Sequence, residues 1–250
     1  MVGRECEAGR CRSSLRPVTA LARSAWAVLG LNILTIIGGT IVRATGSGAG
    51  CGQSWPNCQG EIIPGFDEVA TVIEFSHRMV SGLALIAVIS LAVVVRRRFE
   101  SGTSARRWAF WSVIAILGEA AIGAWLVLAE LVEDNDSVLR AVSVPIHLVM
   151  TFLLLGSLTL LAWTLTTGKE THWGGPHTRA FVIGGVGLLI LGATGAVTAL
   201  ADTLFPAESL VEGLAADLEA EHFLTTLRVI HPFVAVGVAW YVMWVANRVR

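Results

Sequence analysis

Glu74-Phe75-Ser76-His77-Arg78 opens a run that stays apolar as far as Val95 and closes on Arg96-Arg97-Arg98. About 20 such residues are what a helix needs to cross a bilayer. The carboxylate, imidazole and guanidinium at its start are costly there. Ionisable groups in a span are rare, usually face the interior of a helix bundle, and mark functional positions. The stretch therefore predicts a transmembrane helix with a candidate site at one end.

Working outward, five further runs of similar length lie near residues 24–42, 108–129, 142–166, 180–201 and 225–246, and span two covers 73–95. The chain is 54% hydrophobic and 15% charged, against roughly 45–50% and about 25% for soluble domains. The fold class expected is all-α, a polytopic transmembrane helix bundle whose first partner is the lipid bilayer. The net charge of −1 gives no reason to expect nucleic acid. The organisation expected is a basic tail (1–23), a four-helix bundle (24–166), a loop (167–179) and a partial second bundle of two spans (180–250).

Charge sorts the connections. Arg4, Arg10, Arg12, Arg16 and Arg23 precede span one, Arg96, Arg97, Arg98, Arg106 and Arg107 join spans two and three, and Lys169 and Arg179 join four and five. Acidic residues such as Glu130, Glu133, Asp134, Asp202, Glu208 and Glu212 mark the alternate loops. The excess of Lys and Arg on cytoplasmic loops predicts a cytoplasmic N-terminus and outward loops at 43–72, 130–141 and 202–224. With no small-residue cleavage pattern, span one reads as retained rather than as a signal peptide.

Cys51 and Cys58 share the first outward loop, with Trp55-Pro56 between them, while Cys6 and Cys11 lie in the tail. A short Gly- and Pro-bearing loop outside the membrane favours a bridge between the first pair; two free thiols and a zinc site are the alternatives. Cys6 and Cys11 are expected to be reduced.

An internal echo joins the two halves. Gly38-Gly39-Thr40 near the end of span one has a counterpart in Gly192-Ala193-Thr194-Gly195 of span five, and each span is followed by one whose outer end carries a histidine, His77 and His231. That pattern suggests a four-span repeat with an incomplete second copy.

Of six histidines, His172, His177 and His222 fall in loops and read as solvated. His77, His147 and His231 fall four to six residues inside the outer ends of even-numbered spans, at one depth. A single histidine in a span is usually a packing residue. Two imidazoles from neighbouring parallel helices at equal depth suit the two axial positions of a haem iron, which assigns His77 and His147 as a ligand pair. Glu74 lies one turn outward on the same helix face as His77, to move protons, orient a ligand or contact substrate, or else simply to sit at a positive helix end. Arg43, Arg78 and Arg228 are candidates for haem propionates, with interfacial snorkelling as the alternative. Glu119 in span three is open to proton delivery or to an inter-helix contact.

Val42-Arg43-Ala44-Thr45-Gly46-Ser47-Gly48-Ala49-Gly50-Cys51, Cys58, Glu74-x-x-His77-Arg78 and Ile146-His147 together resemble the haem A synthase family, from about residue 24 onward. The resemblance implies a membrane oxidoreductase that oxidises the C8 methyl of haem O to the formyl of haem A, for cytochrome oxidase assembly, by successive hydroxylations with molecular oxygen. It implies that His77 and His147 hold the substrate haem, that Glu74 is the catalytic carboxylate, and that His231 is one ligand of a haem b cofactor. Cys51 and Cys58 match the family's paired loop cysteines. Implied partners are a haem O synthase and an electron donor, in the plasma membrane, with room for an oligomer. The family has eight spans, and six are seen here. A truncated chain is the expected explanation, ahead of a partner chain or a reduced form, and such a chain is expected to hold haem without turning over. The rival functions are a b-type electron-transfer cytochrome and a non-catalytic haem chaperone.

Overall fold

The computed structural model describes residues 3–7, 10–14, 19–172, 174–207, 209, 213 and 223–249, those before residue 20 and residue 249 by backbone alone. Its helices are α1 (Thr19–Ala44), α2 (Val69–Arg98), α3 (Ser104–Leu128), α4 (Val138–Thr167), α5 (Thr178–Leu204), α6 (Phe223–Arg228) and α7 (Ile230–Val249). Among the described residues, six segments are long and apolar enough to cross a membrane, the last being α6 and α7 together. The all-helical membrane architecture expected from the hydropathy is thus present. An addition lies in the tail, where β1 (Gly3–Glu7) pairs antiparallel with β2 (Arg10–Ser14), Cys6 opposite Cys11. The expected thiol state of Cys6 and Cys11 concerns side chains outside the described residues, as does the place of His222.

The helices start earlier than the hydropathy suggests: α2 at Val69 rather than 73, α4 at Val138 rather than 142. The added turns, Val69-Ala70-Thr71-Val72 and Val138-Leu139-Arg140-Ala141, each carry one polar residue among apolar ones, and a helix satisfies its own backbone groups across such an interruption. The histidines accordingly sit deeper. His77 is the ninth residue of α2, His147 the tenth of α4 and His231 the ninth of the sixth segment counted from Phe223. At about 1.5 Å per residue each lies some 12–14 Å along its own span.

The chain forms two compact units, residues 1–124 with 150–172, and residues 125–149 with 173–250. Residues 125–149, grouped by hydropathy with the first four spans, belong to the second unit. In the first, the buried apolar core is Leu21, Ala25 and Leu29 of α1, Val88, Leu91 and Val95 of α2, Ala105, Ala109 and Ile116 of α3, and Leu158, Leu161 and Leu165 of α4. These lie at the start of α1 and α3 and the finish of α2 and α4, so the core occupies one end of the unit. Its many alanines permit the close helix contact on which packing in lipid relies. Ser112 donates to Ser157 (3.0 Å) and Trp26 Nε1 to Thr166 (3.1 Å) across the same helices. Glu170 accepts from the backbone N–H of Ser104 at the start of α3 (2.7 Å), satisfying one of that terminus's free donors. In the second unit Ala141, Leu200, Ala201 and Leu224 form a buried apolar cluster, with α5 packed on α6 and α7.

The histidine-bearing end of the first unit is held by a loop. Helix α1 finishes in a Schellman arrangement, with Gly46 at φ +65 and Ser47 N–H donating to Val42 O (2.9 Å). The loop then brings Gly50 onto the first turn of α2, where a Cβ would stand 2.5 Å from the backbone carbonyl oxygen of Ala70. Only glycine allows that approach. Thr71 donates its hydroxyl to Gly50 O (2.7 Å), and Gln59 Nε2 donates to the same oxygen (3.1 Å). A Gly50→Ala variant must push the loop off α2. It is expected to destabilise the folded chain by about 1–3 kcal/mol, the usual range for overpacking, and to speed hydrogen exchange of the Cys51 amide; unchanged exchange would contradict this docking.

Candidate functional site

Glu74 and Arg78 are one helical turn apart on α2, and the outward loop closes over them. Cys51 and Cys58 are both fully buried and joined, with S–S 1.96 Å. Glu74, 3% exposed, accepts the Cys51 N–H on Oε2 (2.7 Å) and, on Oε1, Arg78 Nε (3.1 Å) and one terminal N–H (2.5 Å). The other terminal nitrogen of Arg78 donates to the carbonyls of Ser54 (2.5 Å) and Asn57 (2.6 Å). One buried ion pair therefore organises the disulfide loop, and charge-assisted bonds of this kind are short and strong.

The sequence offers Arg78 to a propionate; in the structure four of its donor bonds go to Glu74, Ser54 and Asn57. Arg140, which sequence reasoning does not single out, does the same in the second unit, where its Nη1 donates to the carbonyls of Glu133 and Asn135. Arg228 pairs with Asp202 at 2.9 Å. Each histidine-bearing segment thus carries an arginine near its start that is tied to the chain preceding it. Arg43 lies in the last turn of α1, at the same end of the unit as His77. Glu119, midway along α3, accepts from Thr151 of α4 (2.9 Å), the inter-helix contact that is one of its two readings.

His77 and His231 are seated alike. Beside His77, a Cβ on Gly39 would lie 3.1 Å from Cε1 and one on Gly38 would lie 3.2 Å from Nδ1. Beside His231, a Cβ on Gly195 would lie 3.1 Å from Cε1, and Thr194 Oγ1 is 3.1 Å from Nδ1. In each case the imidazole lies against a neighbouring helix so closely that a Cβ there would make a tight contact, and the ring would have to give by a few tenths of an ångström. The sequence echo between spans one and five is therefore a pair of ring seats. Glycine in membrane helices usually signals close helix packing, so its role as a seat was not readable from composition. His147 lies two residues after Pro145 within α4, where the ring at 145 removes one helical hydrogen bond.

The two halves differ one turn before the histidine. Glu74-x-x-His77 carries a carboxylate there, and Arg228-x-x-His231 a guanidinium. The donor set fits a haem: imidazoles are its common axial ligands, and ligating rings need fixed orientation, which the glycine cradles supply. When bound, haem would supply iron redox chemistry and a porphyrin to be modified or to carry electrons.

The model of the COX15-CtaA family, described as cytochrome oxidase assembly protein, matches residues 22–250. A protein named Protoheme IX farnesyltransferase from Thermus thermophilus is 45% identical over 227 residues, 90% of this chain and 37% of that protein. A Heme A synthase from an Exiguobacterium species is 33% identical over 149 residues, 60% of this chain and 46% of its own length. One from Shouchella clausii is 43% identical over 96 residues, 38% of this chain and 32% of its own. The chain thus spans less than half the length of each of these relatives.

Replacing Glu74 by Ala strands the Arg78 charge and leaves the Cys51 N–H without its acceptor. Breaking a buried pair in this way costs about 3–5 kcal/mol, so Glu74→Ala is expected to unfold at clearly lower temperature in detergent. Glu74→Gln keeps an acceptor and is expected to lose less; equal stability of Glu74→Ala and the parent would contradict the ion pair's structural role.

Proposed function

The chain belongs to the COX15-CtaA family of cytochrome oxidase assembly proteins, and from that membership we propose that it takes part in haem A synthesis, oxidising the C8 methyl of haem O to a formyl with molecular oxygen. The observation that carries this reading is the paired seating of His77 on Gly38 and Gly39 and of His231 on Gly195. A single packing histidine does not explain two equivalent cradles. In this reading His77 and His147 hold the substrate haem, and His231 is a ligand of a haem b cofactor.

Glu74 is the proposed catalytic carboxylate. Its two oxygens are fixed by Cys51 and Arg78, and it lies one turn along α2 from His77, so it would handle a proton at a set orientation beside the substrate. Arg43, Arg78 and Arg228 form the proposed rim that meets propionates, with Arg78 and Arg228 held in place by their protein partners. The buried disulfide loop excludes water from the Glu74 side and stiffens that rim.

The proposed supplier of substrate is an enzyme that farnesylates protohaem. The Thermus relative is named for that reaction, and its match to this chain takes 37% of its length. The family match over residues 22–250 supports reading the shared stretch as the oxidase part. The arginines at the α2–α3 connection support a multi-pass placement in the plasma membrane with a cytoplasmic N-terminus. An electron donor completes the reaction.

Pigment extraction from cells that make haem O and express the chain separates this reading from its rivals. A synthase accumulates haem A or its hydroxylated intermediate, and Glu74→Gln lowers that product at least about 100-fold, the lower range for loss of an acid–base group, while haem stays bound. Retention of haem b alone would identify an electron-transfer cytochrome, and retention of unmodified haem O either a chaperone or the chain that holds haem without turning over.

A further inference from the structure

The two ring seats differ at one position. Gly39 and Gly195 stand equally close to Cε1 of their histidines, so the residues before them, Gly38 and Thr194, are equivalent. Gly38 faces Nδ1 of His77 with no side chain, whereas Thr194 places its hydroxyl 3.1 Å from Nδ1 of His231. That hydroxyl has a single hydrogen, and its own helix offers it two acceptors, the carbonyls of Ile190 (3.1 Å) and Leu191 (3.0 Å). With the hydrogen serving either of them, what faces the imidazole is a lone pair. A neutral imidazole carries one N–H and one bare nitrogen, so a hydroxyl accepting at Nδ1 selects the tautomer with Nδ1–H and bare Nε2.

We propose that Thr194 is a positioning residue for His231: it accepts the Nδ1–H, holds the ring against Gly195, and leaves Nε2 as the nitrogen that meets a haem iron. The proposal rests on the reading of His231 as a haem ligand, and it deepens that reading by separating the halves. A partner at the far ring nitrogen fixes orientation and raises ligand basicity, which suits a haem retained as cofactor.

Nitrogen-15 NMR of the full chain in detergent, labelled at histidine and recorded where imidazoles are neutral, reads the tautomer without haem. The signals of His231, assigned with His231→Ala, are expected to be of the Nδ1–H form in the parent and in Thr194→Ser. Thr194→Val, which keeps the shape and removes the hydroxyl, is expected to shift them toward the Nε2–H form. Haemin titration in a His77→Ala background gives a second readout: Thr194→Val is expected to bind about 10- to 100-fold more weakly, and Thr194→Ser as the parent does. An Nε2–H form in the parent, or an unchanged tautomer in Thr194→Val, would overturn the proposal. If His231→Ala binds haemin as tightly as its parent, the ligand reading falls instead, and the tautomer result still decides what Thr194 does.

Discussion

An imidazole laid against the backbone of a neighbouring helix is the constraint around which each half of this chain is built. The contact is closest with glycine on α1 and α5, because a Cβ at Gly39 or Gly195 would stand 3.1 Å from the ring and press on it. It also needs each helix pair to approach closely, and α1 with α2, like α5 with α7, does so. Ring seat and helix packing are thus one feature: the small residue that lets the helices meet also orients the imidazole.

Around that contact the first unit divides its labour by end. One end is packed with alanine and leucine from four helices, contacts that hold a bundle together where lipid gives apolar surface no reason to hide. The other end is held by polar bonds. Glu74 and Arg78 bind Cys51, Ser54 and Asn57 of the disulfide loop, and Gly50 presses the loop onto α2. Dispersion fixes the scaffold and charge fixes the site, so a change at Leu158 and a change at Glu74 would fail in different ways.

The six spans were legible because a run of apolar residues long enough to cross a bilayer has few other uses. Their ends were not: Thr71 and Arg140 interrupt the apolar run in the first turns of α2 and α4, and hydropathy stops counting where the helix does not. His77 and His231 stood out as imidazoles in apolar runs, and the recurrence of Gly and Thr near the ends of spans one and five suggested a repeat. What the recurrence meant required coordinates, since glycine in a membrane helix has the same spelling whether it admits a helix or a ring. Arg78 and Arg140 were unreadable for a related reason. Arginine at a span edge looks like snorkelling, and only the positions of the Ser54, Asn57, Glu133 and Asn135 carbonyls show them bound to their own loops.

The most direct measurement is electron paramagnetic resonance of the ferric haem-loaded chain, comparing the parent with His77→Ala. The parent is expected to give a low-spin signal of two imidazole ligands, and removal of His77 to convert the corresponding part of that signal to high spin. A low-spin signal identical in both proteins would contradict the assignment of His77 as a haem ligand.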